Sequence, residues 1–121
     1  MVHVFIVEDH DMIRQGYVLI LAREPDITIC GEAASAEEAL GQIPLVAPDI
    51  VVVDFSLPGM NGLDLVQRLQ EDHPGLPTIV ISGHNEDVFI QGILTAGATR
   101  YIVKDHAPRQ LVETIRQIMA E

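Results

Sequence analysis

The sequence predicts a doubly wound α/β fold, an open five-stranded parallel sheet with helices on both faces. Two observations carry that prediction. Short apolar runs alternate five times with longer segments that have helical spacing or helix-start signals, and the first, third and fourth runs show no polar alternation, as strands buried on both faces require. A third feature agrees with them: among 121 residues there is no Trp and 4% aromatic content, so the core must be built from Val, Ile, Leu and Ala.

The elements follow in order. The candidate strands are Val2 to Val7, Ile27 to Gly31, Asp49 to Val53, Thr78 to Ser82 and Tyr101 to Val103. A first helix is expected near Asp11 to Arg23, weakened by Gly16. Ser35 with Glu38 three residues on makes a capping box that opens the second helix, and Pro44 and Pro48 mark its exit. Asn61 caps a third helix whose Leu63, Val66 and Leu69 share a face, and Pro74 and Pro77 stop it. A fourth helix near Glu86 to Thr95 contains Gly92. Pro108 suits the first turn of the last helix, in which Leu111, Val112, Ile115 and Ile118 or Met119 recur at core spacing.

Parallel strands need connections of about a dozen residues, and right-handed crossovers wind this alternation into a flavodoxin-like (βα)5 sheet of order 2-1-3-4-5. Its length suits a single domain over residues 1–121. The formal charge of -11 argues against nucleic-acid binding by this segment, because that affinity comes mainly from Lys and Arg. Cys30 is the only cysteine, so an internal disulfide is excluded and a buried inert thiol is expected. The start of the chain is unlike a signal peptide, and no apolar run approaches membrane-spanning length, which sets a cytoplasmic expectation without membrane contact.

In doubly wound sheets ligands sit beyond the carboxyl ends of the strands, where the winding reverses. There the sequence places Glu8 and Asp9 after the first strand, Asp54 at the end of the third, Ser82 at the end of the fourth and Lys104 after the fifth. Lys104 is the only lysine; the other six basic residues are arginines. Clustered carboxylates titrate abnormally or recruit a cation, and Mg²⁺ suits a set of carboxylates, waters and phosphate oxygens. Taken alone, Glu8 and Asp9 equally suit a capping role, and Ser82 equally suits a turn. Asp54, held on a rigid strand end, can attack phosphorus to give an aspartyl phosphate. Lys104 and the metal would neutralise the phosphoryl oxygens, and Ser82 would donate a hydrogen bond to one of them.

Three segments carry a more specific likeness: Val7-Glu8-Asp9-His10, Val53-Asp54-Phe55-Ser56-Leu57-Pro58-Gly59-Met60-Asn61-Gly62-Leu63-Asp64 and Tyr101-Ile102-Val103-Lys104-Asp105. In order and spacing the chain resembles the receiver domains of two-component response regulators, closest in wording to the NarL/FixJ subfamily. The resemblance implies Asp54 as the phosphorylation site and Mg²⁺ held by Asp9, Asp54, the Ser56 carbonyl and Glu8, directly or through water. It also implies Lys104 as the phosphate-pairing cation, Ser82 as the switch hydroxyl and Tyr101 as the aromatic switch residue, with output at the fourth helix, fifth strand and fifth helix. A sensor histidine kinase is the implied phosphodonor, a homodimer forms on activation, and DNA is contacted only through a C-terminal domain absent from this chain. An excised regulatory domain of a transcription regulator is therefore expected ahead of a stand-alone receiver.

The chain departs from the family pattern at several places. Gly83 replaces a common alanine, Asp105 replaces a common proline after Lys104, and Ser56 and His84 occupy variable positions that tune phosphoryl lifetime. A Mg²⁺-dependent aspartyl-phosphate hydrolase is the rival reading, but such enzymes place an acid where this chain has Ser56. A signalling domain with limited self-catalysed phosphorylation and dephosphorylation is expected instead of a turnover enzyme. His10, His84 and His106 are expected to be scattered and solvent-facing.

Overall fold

In the computed structural model, which describes residues 1–121, strands β1 (Val2–Val7), β2 (Ile27–Ala33), β3 (Ile50–Asp54), β4 (Thr78–Ser82) and β5 (Arg100–Val103) alternate with helices α1 (Asp11–Ala22), α2 (Ala36–Val46), α3 (Gly62–Asp72), α4 (Asp87–Thr95) and α5 (Ala107–Ala120). A 3-10 turn over Lys104–His106 links β5 to α5. All neighbouring strands pair in parallel, in the order β2-β1-β3-β4-β5. The expected (βα)5 winding is therefore the observed one, and the reversal lies between β1 and β3.

Alternation along each strand sorts the core into two faces. Val4, Ile6, Ile50, Val52, Ile79, Ile81 and Ile102 meet Tyr17 and Leu21 of α1 and Leu111, Ile115 and Ile118 of α5. Phe5, Val7, Val51 and Val53 meet Ala36, Ala39 and Ile43 of α2 and Leu65 and Leu69 of α3. Val80 meets Val66 of α3 and Ile93 of α4. Every residue of β3 and β4 is buried, as the unbroken apolar runs anticipate. Within α3, Leu65 is buried and Leu63 only half-buried, so the core stripe is wider than the expected Leu63, Val66 and Leu69.

Ser35 caps α2, its side chain accepting from the Glu38 N–H, and Asn61 caps α3, accepting from the Asp64 N–H. The exit of α2 differs from expectation. Pro44 lies inside the helix, which continues to Val46 and closes on Ala47 in the left-handed region at φ 47°. At the last turn a proline forfeits only one hydrogen bond, and burial of the neighbouring Ile43 outweighs that loss. Strand β2 runs past Gly31 to Ala33, because a register shift opposite Val4 and Phe5 skips Cys30 and resumes pairing at Gly31. A Cβ on Gly31 would lie 2.5 Å from the Phe5 ring, so glycine is what lets the strand continue there. Cys30 is half-buried, its thiol donates to the Val4 carbonyl, and burial pushes its pKa up. No helix is long and apolar enough to cross a membrane.

Candidate functional site

Four strand ends converge on one pocket. The fully buried run Val4 to Val7 delivers Glu8 into the interior, where it is 1% exposed, with Asp9 half-buried beside it. Asp54 ends β3 at 3% exposure and Ser82 ends β4 at 1%. From the opposite side the 3-10 turn after β5 folds Lys104 back over the acids, placing its Nζ 3.8 Å from Asp54 Oδ1 and 4.0 Å from Glu8 Oε1. The sole lysine therefore faces the central carboxylate over the end of β4, beside the reversal of the sheet.

Too few donors serve the anionic oxygens there. Glu8 Oε1, Asp9 Oδ1 and Asp54 Oδ2 are buried with no hydrogen-bond partner. Burial pushes the Glu8 carboxyl up to about 7; the His10 N–H lowers it and the neighbouring Asp54 raises it. Buried oxygens without partners cost about 1–3 kcal/mol each, and more when charged. Oxygen-rich, undersupplied with hydrogen and reached by a single amine, the pocket fits a hard divalent cation.

The β3–α3 loop is held close to Asp54. At Gly62 a Cβ would come within 2.6 Å of Phe55 Cα and 2.7 Å of the Asp54 carbonyl, so α3 can begin against the strand end only with glycine there. The Gly62 N–H donates to the Phe55 carbonyl at 2.9 Å. Gly59 turns the loop at φ 71°, and Glu37 of α2 anchors it by accepting from the Met60 N–H at 3.3 Å. Ser56, on this loop, has an exposed side chain.

Beyond Asp54, the Ser82 hydroxyl accepts from the His84 N–H at 3.3 Å, and the Tyr101 hydroxyl donates to the His84 carbonyl at 2.7 Å. Tyr101 is half-buried, and burial raises its phenol pKa. Aromatic contacts extend from it: Phe89 of α4 lies edge-on to Tyr101 at 6.2 Å and to Phe55 at 4.9 Å, and stacks on His84 at 4.3 Å. A Cβ at Gly83 would meet nothing within 4 Å, so the glycine leaves open space beside Ser82.

Sequence reasoning brought Glu8, Asp9, Asp54, Ser82 and Lys104 to this edge, and they are found together. It missed three supporting groups. Arg14 donates to the Glu8 carbonyl at 2.6 Å while pairing with Asp11 and Glu32, which ties the acidic turn to α1 and β2. Phe55 and Phe89 supply the ladder beside Tyr101. His10, although solvent-facing as expected, lies with its Nδ1 3.4 Å from both Glu8 Oε2 and Asp9 Oδ1. The position of Arg14 one helical turn after His10 is the signal that could have found it.

The family profile described as "Response regulator receiver domain" matches residues 4–116. The chain is 34% identical over 120 residues to the DNA-binding transcriptional activator DevR/DosR of Mycobacterium tuberculosis, covering 99% of this chain and 55% of that protein. It is 34% identical over 119 residues to the nitrate/nitrite response regulator protein NarL of Escherichia coli, covering 97% and 54%. It thus spans about half the length of the curated relatives it matches. Among solved structures, a LuxR-family two-component response regulator from Aurantimonas superposes with a TM-score of 0.94 at 31% identity, covering 99% of this chain and 86% of that one. The receiver domain of the response regulator NarL from Mycobacterium tuberculosis superposes at 0.90 with 26% identity, covering 97% and 94%. The match across nearly the whole chain, on a sheet that gathers acids and one lysine at its reversal, establishes that the chain belongs to the response-regulator receiver domain family.

Proposed function

We propose that Asp54 accepts a phosphoryl group and that the domain signals through the change this makes at its surface. The observation that carries the reading is the facing of Lys104 Nζ, at 3.8 Å, on a buried Asp54 whose other oxygen has no partner. An Asp54 oxygen attacks the phosphorus of a phosphohistidine on a sensor histidine kinase; the phosphorus–nitrogen bond breaks and its electron pair leaves with the imidazole. Lys104 neutralises phosphoryl oxygens. The side chains of Asp9 and Asp54 and the Ser56 carbonyl would hold Mg²⁺, with Glu8 joining directly or through water. When bound, that ion screens the charge on the phosphoryl oxygens.

Ser82 then gives up the His84 N–H and donates its hydroxyl proton to a phosphoryl oxygen. Tyr101 leaves the His84 carbonyl and turns inward, and the α4-β5-α5 surface shifts in population toward a partner-binding form. The relatives' names, a DNA-binding transcriptional activator and a response regulator, support a regulatory place for this domain in a transcription regulator; as its N-terminal, cytoplasmic part the domain would meet DNA only through another domain.

The test is mass mapping after incubation with acetyl phosphate, with and without Mg²⁺. One acid-labile phosphoryl group on the Asp54 peptide is expected, lost in Asp54→Asn and strongly reduced by chelation. Phosphorylation of Asp54→Asn at the rate of the unmodified chain excludes Asp54 as acceptor, and sustained hydrolysis of a phosphomonoester points to a hydrolase instead.

A further inference from the structure

Arg14 is used differently from the other paired arginines. Its side chain is 17% exposed, against 53% for Arg68, 38% for Arg100 and 41% for Arg116, and each of its three nitrogens serves a separate acceptor. Nη1 donates to the Glu8 carbonyl at 2.6 Å, Nη2 to Asp11 Oδ1 at 2.7 Å and Nε to Glu32 Oε1 at 3.2 Å. A guanidinium is a planar, rigid fork, so the two carboxylates, one on α1 and one on β2, aim its remaining donor at the end of β1. The Glu8 carbonyl belongs to the peptide unit that joins Glu8 to Asp9, and fixing its direction fixes ψ of Glu8 and φ of Asp9 together. On its other side Glu8 is held by its own N–H, which donates to the Ala33 carbonyl at 3.0 Å. Asp9 has no such support in its side chain: Oδ1 is buried without a hydrogen-bond partner, so the carboxylate is aimed by the backbone that carries it.

We infer that Arg14 is a positioning residue for phosphoryl transfer: by gripping the Glu8–Asp9 peptide it holds the Asp9 carboxylate in place for the divalent ion. On the reading of Asp54 as a Mg²⁺-dependent phosphoacceptor, on which the inference rests, a guanidinium cannot itself ligate the cation, and Arg14 acts through Asp9. Two simpler roles predict different behaviour. As a bare positive charge beside the pocket, Arg14 would repel the ion, and its removal would tighten Mg²⁺ binding. As a tie between α1 and β2 and nothing more, its loss would lower the melting temperature and leave the Mg²⁺ dependence where it was. Only a positioning role weakens Mg²⁺ binding when a positive charge is taken away.

Arg14→Met and Arg14→Lys are compared with the unmodified chain in thermal melts over a series of Mg²⁺ concentrations, which read stability without the ion and affinity for it from one set of curves. Half of the Mg²⁺-induced rise in melting temperature is expected to need about tenfold more Mg²⁺ in Arg14→Met. Arg14→Lys keeps the charge, but its single amine cannot serve a carbonyl and two carboxylates at once, and a shift of more than about twofold is expected. Phosphorylation of Asp54 by acetyl phosphate is expected to slow most at low Mg²⁺ and to recover as the ion saturates. A Mg²⁺ dependence within about twofold of the unmodified chain in either variant, tighter binding in Arg14→Met, a phosphorylation loss that saturating Mg²⁺ does not reduce, or the absence of a cooperative melt in both variants overturns the inference. Failure of the unmodified chain to take a phosphoryl group in the presence of Mg²⁺ defeats the phosphoacceptor reading instead, and is read separately from the melts.

Discussion

Glu8 is the residue at which burial and function pull hardest against each other. Its carboxyl is pushed from an ordinary value of 4.5 up to about 7 by burial, so the folded chain binds that proton more tightly than the unfolded chain does. The stability this contributes is complete below about pH 4.5 and is lost as pH rises through about 7. Asp26 and Asp49, held low by Arg116 and by the His3 N–H respectively, act in the opposite sense but below this window. Without divalent ions, the melting temperature is expected to decline from about pH 5 to pH 8, with a flatter decline in Glu8→Gln; Mg²⁺ should raise it more at the alkaline end, where the carboxylate is free to bind. Thermal melts across pH with and without Mg²⁺ check this, and a slope unchanged in Glu8→Gln assigns the titration elsewhere. Asp54, Lys104 and Ser82 were legible because each follows an apolar run whose end the fold brings to the carboxyl edge of the sheet. His10 and Arg14 were not, since their partnership with the acidic pair depends on how the β1–α1 turn closes in space.

Two glycines of similar appearance in the sequence do opposite work in their elements. Gly41 lies within α2, where a Cβ would meet nothing within 4 Å, and Gly41→Ala is expected to stabilise the chain by about 0.5–1 kcal/mol. Gly62 opens α3 against the Asp54 backbone, and Gly62→Ala is expected to destabilise by about 1–3 kcal/mol and to slow phosphorylation by displacing the loop that carries Ser56. Urea melts of both variants with phosphodonor mass mapping separate the two; equal effects on both would remove the steric account. The strands and caps were readable because apolar runs, Ser35 and Asn61 act locally. The continuation of α2 through Pro44 and of β2 past Gly31 was not, because packing of Ile43 and Phe5 against distant residues decides both.

At the scale of the molecule, the formal charge of -11 shapes association. Arg14, Arg68, Arg100 and Arg116 are engaged with Asp11 and Glu32, Asp72, Glu121, and Glu24 and Asp26, which leaves little cationic surface to answer a second acidic copy. Phosphorylation of Asp54 replaces one carboxylate charge with about two on the phosphoryl group, a net gain of about one negative charge. A dimer formed on activation is therefore opposed at long range, and its fraction in sedimentation velocity is expected to rise with ionic strength as screening shortens that repulsion. A fraction that falls with salt would show an interface held by ion pairs instead. Strand order and winding were legible from the alternation alone; which surfaces meet a partner was not, because an exposed apolar residue such as Met12 or Val88 is indistinguishable in sequence from a buried one.

The contact of Tyr101 with Phe89 and of Phe89 with Phe55 and His84 has an optical corollary. With no Trp and two tyrosines in the chain, one of them, Tyr17, fixed in the core, the near-ultraviolet dichroism of the native protein draws much of its variable part from rings lying along the route between Asp54 and α4. The domain thus carries an intrinsic chromophore for its own state, readable without any label.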